Sequence, residues 1–253
     1  HVLFDTGQSD LLTRNAVQLG IDLSRTDAIV LSHGHYDHTG GLPAALEAAP
    51  RARVFAHSDA KLSRFARNPD GTARPVGMRP DALEALANAV EVIRTDGPTE
   101  ILEGLRATGS VPRETDFEDT GGPFFLDEKC TRPDPLRDDQ AVYFDTGAGT
   151  VVLLGCAHAG VVNTLLRVRE LTNGREIHTV LGGMHLGAAG EERLVRTRIV
   201  EIAVRTVDHA HSPERKKHGH RTGARVYLPG DRPAELLVLL RRGPAVEDLD
   251  PRQ

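Results

Sequence analysis

Residues 32–41 read SHGHYDHTGG and place four metal-capable side chains close together, His33, His35, Asp37 and His38. Imidazole and carboxylate groups together suit Zn, Fe or Mn. Ligands at alternate positions of a tight loop can face one ion, while the adjacent Asp37 and His38 can face a second. Two ions held about 3.5–4 Å apart activate water and clamp a phosphoryl or acyl oxygen. The spacing therefore predicts a loop that serves two ions, in preference to a solvated histidine-rich turn.

Two further histidines share the context of an apolar segment followed by glycine. His158 lies in LLGCAHAG and His185 in LGGMHLG, and the last candidate is His220 in GHRTG. Cys156 is interpreted as a small buried residue beneath the site. The alternative is that it binds a metal as a thiolate. For the histidines without this context, a structural or surface role is the default.

Short apolar segments alternate with amphipathic ones along the chain. Strands are predicted at residues 2–4, 28–31, 53–56, 90–93, 141–144, 151–154 and 177–181, and helices at 12–19, 43–49, 82–89, 161–171 and 191–207. The alternation predicts an α/β layered fold, with functional loops where strands end. Residues 104–139 are rich in Gly, Pro, Thr and charge, which predicts a lid-like insertion. An irregular segment is expected from about residue 208.

Composition limits the partners and the compartment. The 253 residues are interpreted as a single domain, and a hydrophobic content of 39% suffices for a sizeable core. A formal charge of −5 and the absence of tryptophan disfavour a nucleic-acid partner. The two cysteines favour a reducing cytoplasm, and no apolar run predicts a membrane span. Because residues 1–4 already read as a strand without an initiator Met, we expect one or more strands to precede them.

An ordered set of motifs carries a family resemblance over residues 2–223. The motifs are LFDTGQSDLL, LSHGHYDHTGGL, TGSVPRETDFE, DDQAV, LLGCAHAGVVNTL, LGGMHL and HRTG. The set resembles the metallo-β-lactamase fold superfamily, and within it the dihydropterin–ribofuranosylaminobenzene phosphate synthase-like branch. HxHxDH is specific for the superfamily and the ordered set for the branch, but neither specifies a substrate. The resemblance implies an αββα sandwich, classed as α/β (α+β), with metals at one edge of two packed sheets.

The resemblance also implies a role for each matching residue. The first metal would be bound by His33, His35 and His158, and the second by Asp37, His38 and His220. Asp5 would orient the HxHxDH loop. His185 stands where many members have a metal-bridging aspartate, so it either ligates a metal or hydrogen-bonds the substrate. Arg113 is a candidate substrate-binding residue because arginine suits bidentate phosphate contact, with a solvated loop charge as the alternative.

The expected function is a binuclear metal-dependent hydrolase of an ester or phosphoester small molecule, with an anionic substrate and Asp37 orienting the attacking water. Two divalent ions are the expected cofactors, Zn by default and Fe or Mn as alternatives. The resemblance equally admits the synthase reaction, in which the metals hold a phosphorylated ribose while a bond to a pterin forms. A non-catalytic metal- or ligand-binding sensor is the alternative, because residues 208–219 are charged where the branch has an apolar strand. A metal-dependent nuclease is disfavoured by the lack of a basic stripe.

Overall fold

The computed structural model describes residues 1–187, 189–202, 205–207, 223–228 and 234–239, with the backbone alone from residue 198 onward. The strands in these ranges are β1 Val2–Phe4, β2 Ala28–Val30, β3 Arg53–Ala56, β4 Phe65–Arg67, β5 Ala73–Pro75, β6 Val92–Arg94, β7 Thr99–Leu102, β8 Leu105–Ala107, β9 Phe124–Phe125, β10 Ala141–Thr146, β11 Gly149–Leu154, β12 Ile177–Gly182, β13 Arg205–Val207, β14 Gly223–Leu228 and β15 Ala234–Leu239. The α-helices are α1 Leu11–Gln18, α2 Tyr36–Thr39, α3 Leu42–Ala48, α4 Pro80–Ala87, α5 Val161–Leu171 and α6 Glu191–Ile202. Within the described ranges, no helix combines the length and the apolar character needed to cross a bilayer.

Two six-stranded sheets form the centre of the molecule. The first has the order β14-β15-β1-β2-β3-β6 and the second the order β13-β12-β11-β10-β8-β7. Strands β15, β1, β2, β3 and β6 run parallel to one another, as do β11, β12 and β13. Parallel neighbours end at the same edge of a sheet, so the loops that follow them are brought together.

Strand β1 of the first sheet is buried on both faces. Val2 and Phe4 point towards the second sheet and pack with its Phe144. Between them, Leu3 points the other way and packs with Leu12 of α1, beside α3 and α4. This alternation follows from the two-residue period of a strand. The inner apolar layer therefore holds the two sheets together, while the outer layer attaches the helices.

The second sheet is covered in the same way on its outer face. Tyr143 and Val152 pack against Val161 and Leu165 of α5. The order of layers is thus helix, sheet, sheet, helix, and the αββα sandwich implied by the resemblance is confirmed.

Several predicted boundaries differ from the structure by one or two residues, and two predicted segments differ by more. The helix predicted over residues 191–207 ends at Ile202, and Arg205–Val207 form β13 beside β12. Leu105–Ala107, at the start of the predicted lid, form β8 and pair with β10. Strands of three residues are too short to show an alternating pattern, so periodicity does not reveal them. The irregular segment predicted from about residue 208 lies mostly outside the described ranges, and its two described parts form β14 and β15.

Candidate metal centre

Metal-capable side chains from both sheets meet at one edge of the sandwich. The loop after β2 carries His33, the loop after β11 carries His158, and the segment after β12 carries His185. The ring centroids of His33 and His158 are 4.8 Å apart, and those of His158 and His185 are 4.6 Å apart. The structure therefore assembles histidines that are far apart in the chain.

The donor atoms of this cluster fit a metal ion. Nε2 of His33 is 3.0 Å from Nδ1 of His35, and the rings of His35 and His158 are 4.8 Å apart. Nε2 of His35 and Nε2 of His158 are buried, and neither has a hydrogen-bond partner among the described residues. Leaving such an atom without a partner costs about 1–3 kcal/mol. A divalent ion that accepted the lone pairs of these nitrogens would satisfy both.

Burial keeps these imidazoles in the form that binds metal. It lowers the pKa of His33 well below its ordinary value and also lowers the pKa of His35. Burial, with the nearby His185 as a second cause, lowers the pKa of His158 to about 3. Neutral imidazole retains the lone pair that a metal needs. Near neutral pH, these three candidate ligands could therefore bind a metal without loss of a proton.

His38 lies between an aspartate and a cysteine. Its Nδ1 donates to Oδ2 of Asp5 at 2.6 Å, and its Nε2 is 3.0 Å from Sγ of Cys156. Burial opposes protonation of His38, but Cys156 and Asp5 together raise its pKa well above the ordinary value. Metal binding at His38 would therefore release a proton.

Asp37 and His185 lie near each other on loops of opposite sheets. Asp37 is in the first turn of α2 and is partly exposed. Burial lowers the pKa of His185, Arg193 lowers it further, and the charge of Asp37 opposes both. Asp37 is thus close enough to act electrostatically on His185, as expected for two residues of one centre.

The backbone is strained in three of the segments that follow the strands and carry the site. Asp5 after β1, Ala157 after β11 and His185 after β12 have φ values of 60°, 53° and 49°. Non-glycine residues rarely adopt this left-handed conformation. Strain of this kind costs about 1–3 kcal/mol per residue and is concentrated at functional sites.

Asp5 accepts three hydrogen bonds from residues of the histidine loop. Its Oδ1 accepts a hydrogen bond from the backbone N–H of Ser32 at 2.7 Å, and its Oδ2 accepts from the Ser32 hydroxyl at 2.7 Å and from His38. The Ser32 hydroxyl also lies 2.9 Å from Nδ1 of His33. One carboxylate therefore positions two of the candidate ligands.

Replacing Asp5 with asparagine is expected to lower metal affinity roughly 10–100-fold, the usual effect of losing a residue that holds a ligand in place. Asparagine tolerates the left-handed backbone but has one acceptor oxygen in place of two, so it cannot accept at both the Oδ1 and the Oδ2 position. Competition with a chromophoric chelator measures the affinity. Asp10→Asn is the matched control, since Asp10 forms an exposed ion pair with Arg14. An Asp5→Asn affinity equal to that of the control would contradict the assigned role.

A buried network of ion pairs, which the sequence did not reveal, contacts the HxHxDH loop at Gly34. Arg64 is 1% exposed. Its Nε donates to Asp134 and its Nη2 to Asp138, each at 2.6 Å. The other oxygen of Asp138 accepts from the backbone N–H of Gly34 at 2.7 Å. Gly34 separates His33 from His35, so this network holds the backbone between two candidate ligands.

Residues 138–140 connect the two histidine loops. Asp139 accepts from the backbone N–H of Ala159 at 2.8 Å, next to His158. Gln140 donates from its backbone to the Ser32 carbonyl at 3.0 Å and from its side chain to the Leu31 carbonyl at 2.8 Å. In the sequence, these residues are visible only as three consecutive polar residues directly before a strand. Only the family resemblance connects them with the site.

The first part of the predicted lid packs against the site. The carbonyl oxygen of Thr120 accepts a hydrogen bond from Nδ1 of His158 at 2.7 Å, which leaves Nε2 as the free lone pair. The Phe124 ring lies 4.8 Å from the ring of His35 and 5.2 Å from that of His158. Glu118 accepts hydrogen bonds from the first turn of α5. This segment therefore orients His158 and shields two candidate ligands from water.

Arg113 lies beside the cluster and contacts it through the backbone. Arg113 donates through Nη2 to the carbonyl oxygens of His158 at 2.6 Å and Pro135 at 3.3 Å, and its side chain is otherwise exposed. These contacts steady the His158 loop, while substrate binding by Arg113 stays a prediction. His220, the predicted last ligand, lies outside the described residues.

The comparisons with known proteins agree with this geometry. Residues 1–203 match the family model described as the metallo-beta-lactamase superfamily. Two proteins of Methanocaldococcus jannaschii are similar. MJ0448, named an uncharacterized protein, is 32% identical over 196 residues, which are 77% of this chain and 72% of that protein. The other, named 7,8-dihydropterin-6-methyl-4-(beta-D-ribofuranosyl)-aminobenzene-5'-phosphate synthase, is 29% identical over 206 residues, which are 78% of this chain and 69% of that protein.

A solved structure is similar as well. Tm1679, described as a metal-dependent hydrolase of the beta-lactamase superfamily, has a TM-score of 0.66 and 31% identity, with 79% of this chain and 73% of that chain covered. The motif resemblance, the four layers and the family match all agree. The chain belongs to the metallo-β-lactamase superfamily.

Proposed function

We propose that this protein is a binuclear metal-dependent hydrolase of a small anionic ester or phosphoester. The observation that carries the proposal is the pair of buried, unpartnered nitrogens among the described residues, Nε2 of His35 and Nε2 of His158. His33 completes the first set of ligands, and His38 with Asp37 forms the second. A bound divalent ion polarises a carbonyl or phosphoryl oxygen and makes water a nucleophile near neutral pH.

The side chains around the cluster have separate tasks. Phe124 covers His35 and His158 and keeps bulk water away from them. Asp37 is partly exposed at the edge of the cluster, where its carboxylate can orient an attacking water and accept its proton. Thr120 fixes the tautomer of His158. The chain thus supplies ligands, a proton acceptor and shielding in one place.

Positive charge beside His185 supports an anionic substrate. Arg193 is 4% exposed and donates through Nη1 to Asp119 at 2.5 Å. Its Nε and Nη2 have no hydrogen-bond partner among the described residues. These two donors lie on one edge of the guanidinium, where their spacing matches two oxygens of a carboxylate or phosphate. An anionic group bound at this edge would be held close to His185.

A synthase reaction on a pterin and a phosphorylated ribose is the second candidate. The similarity to the protein named as the phosphate synthase favours it. The same ligands and the same arginine edge would hold a phosphorylated sugar. Hydrolysis of generic phosphodiesters by a protein that ignores pterin donors would exclude this candidate.

Metal removal is expected to abolish hydrolysis. Elemental analysis of the purified protein should find about two divalent ions per chain, as a two-metal site requires. Dialysis against a chelator should reduce turnover of a panel of phosphodiesters, carboxylic esters and lactones to background, and Zn, Mn or Fe should restore it. Activity that survives complete metal removal would overturn the proposal.

A further inference from the structure

The thiol of Cys156 faces the histidine cluster from the end of β11. Its Sγ is 3.0 Å from Nε2 of His38 and lies within 4.8 Å of a ring nitrogen of both His33 and His158. The residue is partly exposed. The interpretation of Cys156 as a small buried residue beneath the site is therefore wrong, because its side chain turns into the site.

A hydrogen bond to His38 does not account for the whole arrangement. Nε2 of His158, two residues along the chain, is buried and has no partner among the described residues, and the same holds for Nε2 of His35. Sulfur and imidazole nitrogen together form a donor set that zinc prefers. The thiol therefore lies near imidazole nitrogens that have no partner among the described residues and that a metal ion could bind.

We propose that Cys156 is a metal ligand that binds as a thiolate, next to His38 and among the donor atoms of His33 and His158. The inference rests on the proposed function, since it requires that the centre holds metal. A tetrahedral zinc ion keeps a nitrogen and a sulfur ligand about 3.5 Å apart. The present 3.0 Å separation needs only a small opening. The thiol proton passes to solvent on binding, and the thiolate partly balances the charge of the ions.

Cobalt(II) substitution tests the assignment without relying on activity. A thiolate ligand produces a sulfur-to-cobalt charge-transfer band in the near ultraviolet. We expect this band in the wild-type protein and in Cys130→Ser, and its loss in Cys156→Ser. Cys130 is a suitable control because it is buried, and its Sγ contacts the backbone carbonyl of Glu128. Circular dichroism checks that each variant is folded.

Alkylation of the thiol provides a second readout. Metal-free protein is expected to react at the partly exposed Cys156, and metal loading should slow that reaction at least about tenfold, since a ligated thiolate is no longer a free nucleophile. A band that persists in Cys156→Ser, or alkylation unaffected by metal, would overturn the inference.

The two proposals fail in different ways. Cobalt binding with metal-dependent hydrolysis but without the band would remove the thiolate ligand and leave the proposed function intact. A wild-type protein that binds neither cobalt nor zinc would overturn both.

Discussion

Arg64→Met should lower the free energy of unfolding of the metal-free protein by about 3–5 kcal/mol, the usual cost of removing one partner from a buried ion network. Arg64 contacts Asp134 and Asp138, and the side chains of all three are at most 2% exposed. Without the guanidinium, two carboxylates stay in the interior without a counter-charge. Methionine keeps most of the volume of arginine, so the loss is mainly electrostatic.

Urea denaturation followed by circular dichroism measures this change. Arg14→Met is the matched control, because Arg14 pairs with Asp10 at 2.6 Å but their side chains are 66% and 56% exposed. An exposed pair contributes about 0–1 kcal/mol. If Arg64→Met were no more destabilising than this control, the network would not support the loop. If Arg64→Met is too unstable to purify, the double variant Arg64→Met with Asp138→Asn is measured in its place. The second replacement removes one of the two unpaired charges.

His35→Ala should reduce hydrolysis by about 10³-fold or more, because a metal site contributes several kcal/mol of transition-state stabilisation. His35 is buried and in contact with both His33 and His158. Its loss removes a ligand and leaves the remaining donors unable to complete the coordination of the ion. The metal content should fall together with the activity.

His178→Ala is the control for this variant. His178 is a partly exposed histidine near the start of β12, at the end of that strand away from His185. It should keep full metal content and activity. Retention of both properties by His35→Ala would exclude His35 as a ligand. If wild type and variant were equally inert on the whole panel while the wild type bound metal, a non-catalytic sensor would be supported instead.

Local patterns are enough to predict the elements that flank the site. Strands predicted at residues 2–4 and 53–56 and a helix predicted at 161–171 agree with the structure at each boundary. Their signals come from neighbouring residues, either apolar runs or helical periodicity. Strands β8 and β13 depend on pairing with distant strands, and their three residues each carry no periodic signal of their own.

The candidate site is predictable where its residues are consecutive. The HxHxDH loop identifies itself because four suitable side chains are close together in the chain. Arg64 cannot be found in this way, since its partners Asp134 and Asp138 are 70 and 74 residues away. Nor can the sequence show which way Cys156 points, because it follows the last paired residue of β11.

The centre takes its donors from two sheets, with consequences for the order of folding. His38 and Cys156 approach each other although they are 118 residues apart in the chain. Closing so long a loop costs conformational entropy. The packing of the two sheets must offset this cost before the two residues can approach each other. Incoming metal would therefore find its full set of ligands only in a chain that is already folded. A bound ion would therefore link the two sheets only after they have packed together, and its dissociation would depend on their separation.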